Sequence, residues 1–103
     1  MSATYFNTGN IANITTQREC IITVPIYVNL PVKPNILTVI YVYNETQGSI
    51  TISSNSTTDL IYSAFFNPNG SQIIELEKNR MLTLKYIIPN STATIGKWYA
   101  TKS

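Results

Sequence analysis

The chain has 103 residues, 44% hydrophobic and 12% charged, with a net charge of +2, one cysteine and no histidine. That length makes one domain with a small core, and that hydrophobic share excludes a disordered chain. A charge of +2 spread over scattered lysines excludes an electrostatic footprint on nucleic acid, a lone Cys20 excludes an internal disulfide framework, and no apolar run approaches the roughly 18–20 residues of a helical membrane span.

Charged residues stand at about half the usual 25%, and Asn, Thr, Ser and Gln supply the polarity instead. A surface of that kind suits an assembly in which neighbours cover much of the outside. The opening MSATYFNTGN lacks the basic and apolar regions of a secretory signal, so the expectation is a chain made and folded in a cytoplasm.

Taken in order, residues 1–17 read as a polar N-terminal arm with a short strand near Ile11–Thr15, able to dock on a neighbour through Tyr5 and Phe6. A single β-domain then fills 18–103. Cys20–Leu30 alternates with period two, its even positions apolar, and reads as one strand. Pro25 cannot donate to a ladder, which places that strand at an edge or bulge. Pro31 and Pro34 end it, and Pro31–Asn35 is a tight connection.

Ile36–Tyr43 is apolar on both faces, the pattern of a central strand covered on both sides. One face, either Leu37, Val39, Tyr41 and Tyr43 or Ile36, Ile40 and Val42, therefore needs a cover from the arm or from another subunit. Ile36–Tyr43 is the expected buried interface, and Leu37, Val39, Tyr41, Tyr43, Tyr5 and Phe6 are its candidate residues.

Asn44–Gly48 reads as a turn, Ile50–Ile52 as a short strand and Ser53–Thr58 as a polar loop. Asp59–Phe66 reads as a strand, although it is the one stretch where a helical turn is conceivable. Asn67-Pro68-Asn69-Gly70 is predicted to be a turn, with Pro68 presetting φ and Gly70 or Asn69 accepting a positive one. Ser71–Glu77 and Met81–Ile88 alternate, and pairing them through a loop at Asn79–Met81 predicts a hairpin that sets Leu76 opposite Leu84. Thr94–Thr101 is the last strand, with Trp98 and Ala100 on one side. The predicted class is all-β: an antiparallel sandwich, jelly-roll or Ig-like, of seven to eight short strands.

The chemistry is sparse. Without histidine the commonest general base and metal ligand is missing, and Glu75 and Glu77 lie about 7 Å apart on one strand face, a solvated pair. The expectation is no catalytic residue, no cofactor, no metal and no enzymatic activity. Asn-X-Ser/Thr sequons at Asn13, Asn44, Asn55, Asn69 and Asn90 arise readily in so Asn-, Ser- and Thr-rich a chain. Trp98, Tyr99 and the other tyrosines suit either packing or sugar stacking.

Met81-Leu82-Thr83-Leu84-Lys85-Tyr86, followed by Gly96-Lys97-Trp98-Tyr99 and preceded by Asn69-Gly70-Ser71 and Ile73-Ile74-Glu75-Leu76, resembles the closing strands of bacteriophage and viral structural β-domains of the head-decoration and fibre types. The resemblance spans the C-terminal third. It implies a virion structural protein, made in the host cytoplasm. It also implies a homo-oligomer, often a trimer, contacting itself and other capsid or tail proteins, with no nucleic acid or membrane partner. The alternative is a carbohydrate-binding or adhesive surface module, which would place a glycan among the partners.

Overall fold

The structure, a computed structural model, describes residues 3–35, 37–63, 67–88 and 95–103. Among them there is no helix, and eleven strands form two sheets. The strands are β1 (Thr4–Phe6), β2 (Ile11–Asn13), β3 (Glu19–Ile22), β4 (Tyr27–Asn29), β5 (Val39–Asn44), β6 (Ile50–Ser53), β7 (Ile61–Ser63), β8 (Asn67–Ser71), β9 (Ile73–Leu76), β10 (Met81–Ile87) and β11 (Lys97–Lys102). The larger sheet runs β1-β3-β5-β10-β11-β7-β8, the smaller β2-β4-β6-β9. The inward faces of both meet in one core that includes Ile22, Val28, Ile52, Leu76, Leu84 and Trp98.

The class is all-β, but the sheets are mixed. From Thr4 to Ser53 the chain alternates between the layers, so strands two apart in sequence lie side by side and parallel. Thr4 pairs with Cys20 and Ile11 with Tyr27, both 16 residues apart. The next winding is longer: Cys20 pairs with Val42 and Tyr27 with Thr51. Parallel neighbours need a crossover, and here the crossover is a strand of the opposite sheet. The antiparallel pairs are β5–β10, β10–β11, β6–β9 and β7–β8. The expected antiparallel arrangement is found only in part, because most links pass from one layer to the other and so bring strands of the same layer together in parallel.

Three local readings change, the first two because the chain crosses between layers. Cys20–Leu30 is two strands in different sheets. The chain changes layer at 23–26, where Pro25 has no N–H to give a ladder and is buried. Ser71–Glu77 and Met81–Ile88 do not pair; β9 belongs to the smaller sheet and β10 to the larger, and the chain crosses between them at Asn79 (φ 65°), whose N–H donates to Asn44 O at 2.7 Å. Ile74, Leu76, Leu82, Leu84 and Tyr86 all still point inward, which is the parity that the hairpin reading used.

Finally, Asn67–Ser71 is a strand and not a turn. Its register against β7 shifts between Ile61 and Ser63, and Gly70 takes a φ of +89° in that irregularity, where an added Cβ would lie 2.7 Å from Tyr62 Cε2. Local turn chemistry thus supplied a bulge. Part of the Asp59–Phe66 reading, residues 64–66, lies outside the described residues, as does Ile36; Ile61–Ser63 is strand.

Residues 1–17 were expected as an arm. Thr4–Phe6 forms one edge of the larger sheet and Ile11–Asn13 one edge of the smaller. Ala12 and Ile14 are buried in the core, and Phe6 O accepts from both Thr23 N and Thr23 Oγ1 at 3.0 Å.

Candidate functional site

The alternation of β5 decides which residues can meet a partner. Ile40, Val42 and Asn44 face the core, so Val39, Tyr41 and Tyr43 face out. Cross-strand pairing extends this outer face into rows. One row runs Tyr5, Ile21, Tyr43, Met81. The next runs Glu19, Tyr41, Thr83, Thr101. A third runs Val39, Lys85, Tyr99, Tyr62. Residues in register share a face, so these rows make a broad surface of tyrosine and aliphatic side chains with few charges.

The candidate interface residues divide as follows. Tyr5, Leu37, Tyr41 and Tyr43 are exposed, at 59%, 64%, 39% and 41%. Val39 is half-buried on the same face. Phe6 is half-buried and turns inward, against the core. Leu37 holds a φ of 66°, a left-handed conformation that costs a non-glycine residue about 1 kcal/mol, and its N–H donates to Tyr86 O at 2.9 Å. Leu37 adds exposed apolar area to that of the tyrosines. The surface reaches beyond the expected set to Tyr99 and Tyr62, whose ring centroids are 6.1 Å apart, with Lys97 Nζ 5.0 Å above the Tyr62 ring. Strand alternation alone could have found Tyr99, since Trp98 and Ala100 point inward. It could not have shown that Tyr62 lies alongside.

The outer face of the smaller sheet is different. Its rows read Ile11, Tyr27, Thr51, Glu75 and Asn13, Asn29, Ser53, Ile73. Asn29 Nδ2 donates to Asn13 Oδ1 at 3.0 Å, so the amides satisfy each other along the surface.

Beneath the tyrosine face lies a buried polar hub that sequence reading missed. Asp59 is 1% exposed. Its Oδ2 accepts from Tyr86 Oη at 2.7 Å, and its Oδ1 accepts from Lys33 Nζ at 2.9 Å, Gly96 N at 3.2 Å and Thr58 Oγ1 at 3.2 Å. Burial alone would raise the Asp59 pKa; the hydrogen bonds from Tyr86, Lys33 and Gly96 and the Lys33 charge outweigh it and hold the carboxyl below its ordinary range. Burial, reinforced by the Asp59 bond and charge, pushes Tyr86 up to about 12. The Tyr86 ring lies 5.0 Å from that of Trp98, and a Cβ at Gly96 would overlap the Tyr86 hydroxyl. No local pattern marks Asp59, because Lys33, Tyr86 and Gly96 lie 26 to 37 residues away along the chain.

A second clamp is Asn44. Its Nδ2 donates to Gly48 O and Leu76 O, both at 2.8 Å, and its Oδ1 accepts from Thr46 N and Thr46 Oγ1. It joins the two sheets at the end of β5. Cys20 is buried, and that burial raises its thiol to about 11 against a smaller opposing pull from Arg18, which leaves it unreactive at neutral pH. Among the described residues no three His, Cys, Asp or Glu side chains gather in a way that could hold a metal ion. Every described buried side-chain nitrogen or oxygen has a partner, so both clamps are structural: they fix the sheet that carries the tyrosines.

The chain matches no family model, no curated protein and no solved structure.

Proposed function

We propose that this protein is a virion structural component of the capsid-decoration or fibre type, which works by protein–protein contact through the outer face of its larger sheet. The observation that carries the reading is the set of exposed Tyr5, Tyr41, Tyr43 and Tyr99 on β1, β5 and β11, every second strand of the larger sheet, together with the exposed Leu37 just before β5. Tyrosine gives large contact area at low entropic cost and is enriched at interfaces, while charge is depleted there. The low charge of the whole chain and the resemblance of residues 81–86 and 96–99 to viral structural β-domains support the same reading.

Two measurements test it. Light scattering on the purified protein is expected to give a mass above that of one chain, and Tyr41→Glu is expected to reduce it to one chain with the circular dichroism unchanged. Mass spectrometry of purified virus particles from the source culture is expected to detect the chain. A wild-type protein that stays monomeric at high micromolar concentration, or particles that lack it, overturns the proposal.

A carbohydrate-binding reading draws on one specific feature, the adjacent Tyr62 and Tyr99 rings with Lys97 above Tyr62. Trp98, the other aromatic that it invoked, is fully buried in the core and out of reach of a sugar. Glycan-array binding that disappears in Tyr99→Ala would put this reading first.

A further inference from the structure

We propose that the cleft between the end of β5 and the link leading into β10 is a saccharide-binding site. It goes beyond the contact reading, and its residues are not those of the Tyr62–Tyr99 ring pair.

The cleft has a volume of about 440 Å³ and is lined by Tyr43, Asn44, Glu45, Asn79 and Arg80. Small-molecule sites run from roughly 300 to 1,000 Å³, so it has room for a small ligand. Its frame is fixed locally. Asn79 takes a φ of 65°, a conformation that asparagine adopts more readily than most residues, and this turns the chain back alongside β5. Asn79 N donates to Asn44 O at 2.7 Å and Asn44 N donates to Arg80 O at 3.0 Å, so the two walls are tied together by their backbones. The floor is the buried Asn44, whose side chain is fully engaged with Gly48, Leu76 and Thr46. Tyr43 faces out from β5, and Glu45 is exposed two residues further on.

The polar head groups above this floor are uncommitted. Among the described residues, neither the Glu45 carboxylate nor the Asn79 carboxamide has a side-chain partner. Arg80 has a single long contact, Nε to Glu77 Oε2 at 3.9 Å, between two half-exposed groups. That leaves both terminal nitrogens of its guanidinium free to donate.

This set of groups selects a ligand class. The Glu45 carboxylate only accepts hydrogen bonds, the Arg80 guanidinium only donates them, and the Asn79 amide does both. A hydroxyl group donates and accepts at once, so the adjacent hydroxyls of a sugar can satisfy all three. The Tyr43 ring offers a flat wall to the C–H face of the same sugar. One positive and one negative side chain leave the cleft close to neutral. Glu45 therefore opposes a phosphate or dicarboxylate, and Arg80 opposes a metal ion or polyamine. The polar lining opposes a lipid.

The test is a titration of the isotope-labelled protein with the methyl glycosides of glucose, galactose, mannose and N-acetylglucosamine, followed by nuclear magnetic resonance, with a glycan array for longer chains. At least one sugar is expected to shift the backbone amides of Glu45, Asn79 and Arg80 saturably. Arg80→Ala keeps the backbone bond to Asn44 and is expected to weaken binding about tenfold. Glu45→Gln keeps the shape, trades an acceptor for a donor, and is expected to weaken it several-fold. Tyr99→Ala is expected to leave it unchanged. All three positions are exposed, and circular dichroism confirms the fold of each variant.

Binding that Tyr99→Ala abolishes and Arg80→Ala spares would move the sugar to the Tyr62–Tyr99 rings and overturn this site. Inorganic phosphate or acetate that shifts the same amides more tightly than any sugar would overturn the ligand class. No response to any glycan overturns the proposal outright. None of these outcomes bears on the contact reading, which is decided by the mass of the wild-type protein and of Tyr41→Glu.

Discussion

The two outer faces of this sandwich stand on one shared core, yet they differ in kind: the larger sheet has strands of up to seven residues and the smaller none longer than four. The face of the larger sheet presents Tyr5, Tyr41, Tyr43 and Tyr99, and Leu37 in a left-handed conformation. The face of the smaller sheet presents Asn13, Asn29, Thr51, Ser53 and Glu75, with Asn13 and Asn29 bonded to each other, and among them the exposed Ile11, Tyr27 and Ile73. Water solvates the amides, hydroxyls and carboxylate of the second face, which separate the paired Ile11 and Tyr27 from Ile73. On the first it is held against ring surface that gains by being covered. The difference lies in arrangement: burial of the inner faces makes the fold, and the contact proposed above uses the outer face on which the tyrosines stand in cross-strand rows.

The largest expected effect tests what the two faces share. Asp59→Ala leaves Tyr86 Oη and Gly96 N buried without an acceptor, and it is expected to cost about 3 kcal/mol of stability in urea unfolding. Both faces should be lost together, at the same urea concentration by near-ultraviolet and far-ultraviolet dichroism; separate transitions would mean that the layers do not share one cooperative core.

Next in size is the face itself. Tyr43→Ser is expected to lower apparent stability by about 1–2 kcal/mol at high protein concentration and by much less at low concentration, since it removes contact area more than core packing. Tyr27→Ser on the smaller sheet is expected to show no such concentration dependence. If the two substitutions behave alike, the contrast between the faces has no functional content.

The pH dependence follows from the hub. The folded pKa of Asp59 lies below its ordinary 3.8, so its contribution is intact above 3.8 and is lost as the pH falls through the lower folded value. Cys20, raised from 9.0 to about 11, and Tyr86, raised from 10.0 to about 12, act in the opposite sense. Their contributions are complete below 9.0 and 10.0 and are lost as the pH climbs through the folded values. Unfolding midpoints should therefore hold level between these limits and drop on both sides, with Tyr86→Phe flattening the alkaline limb. A midpoint unchanged up to pH 12 contradicts the buried Tyr86–Asp59 bond.

The smallest effects sharpen the comparison at single residues. Leu37→Gly relieves a left-handed leucine and is expected to stabilise the isolated chain by up to about 1 kcal/mol while weakening self-association. Asn13→Ala removes one exposed amide bond and is expected to change stability by less than about 0.5 kcal/mol, with no change in mass by light scattering.

Alternation made much of the facing legible. Ile40 and Val42, Ile50 and Ile52, Ile74 and Leu76, and Leu82, Leu84 and Tyr86 all point inward as period two requires, and on β5 the outward set follows by parity. Pairing was not legible. Ser71–Glu77 beside Met81–Ile88 reads as a hairpin from either strand alone, because facing strands of two layers and paired strands of one layer bury the same alternate residues. The winding of residues 4–53 leaves no trace in composition, since its parallel partners lie 16 to 24 residues apart with no repeated motif.

The amino-acid order alone thus determined an all-β chain, the interior side of most strands and the surplus of apolar surface on β5, because these follow from side-chain alternation and local turn chemistry. The assignment of each strand to a layer, the rows that gather Tyr5, Tyr41, Tyr43 and Tyr99, and the convergence of Lys33, Tyr86 and Gly96 on Asp59 were decided only by the tertiary structure. Those contacts join residues far apart in sequence, and the free energy of closing such loops is recovered only when the whole core forms at once.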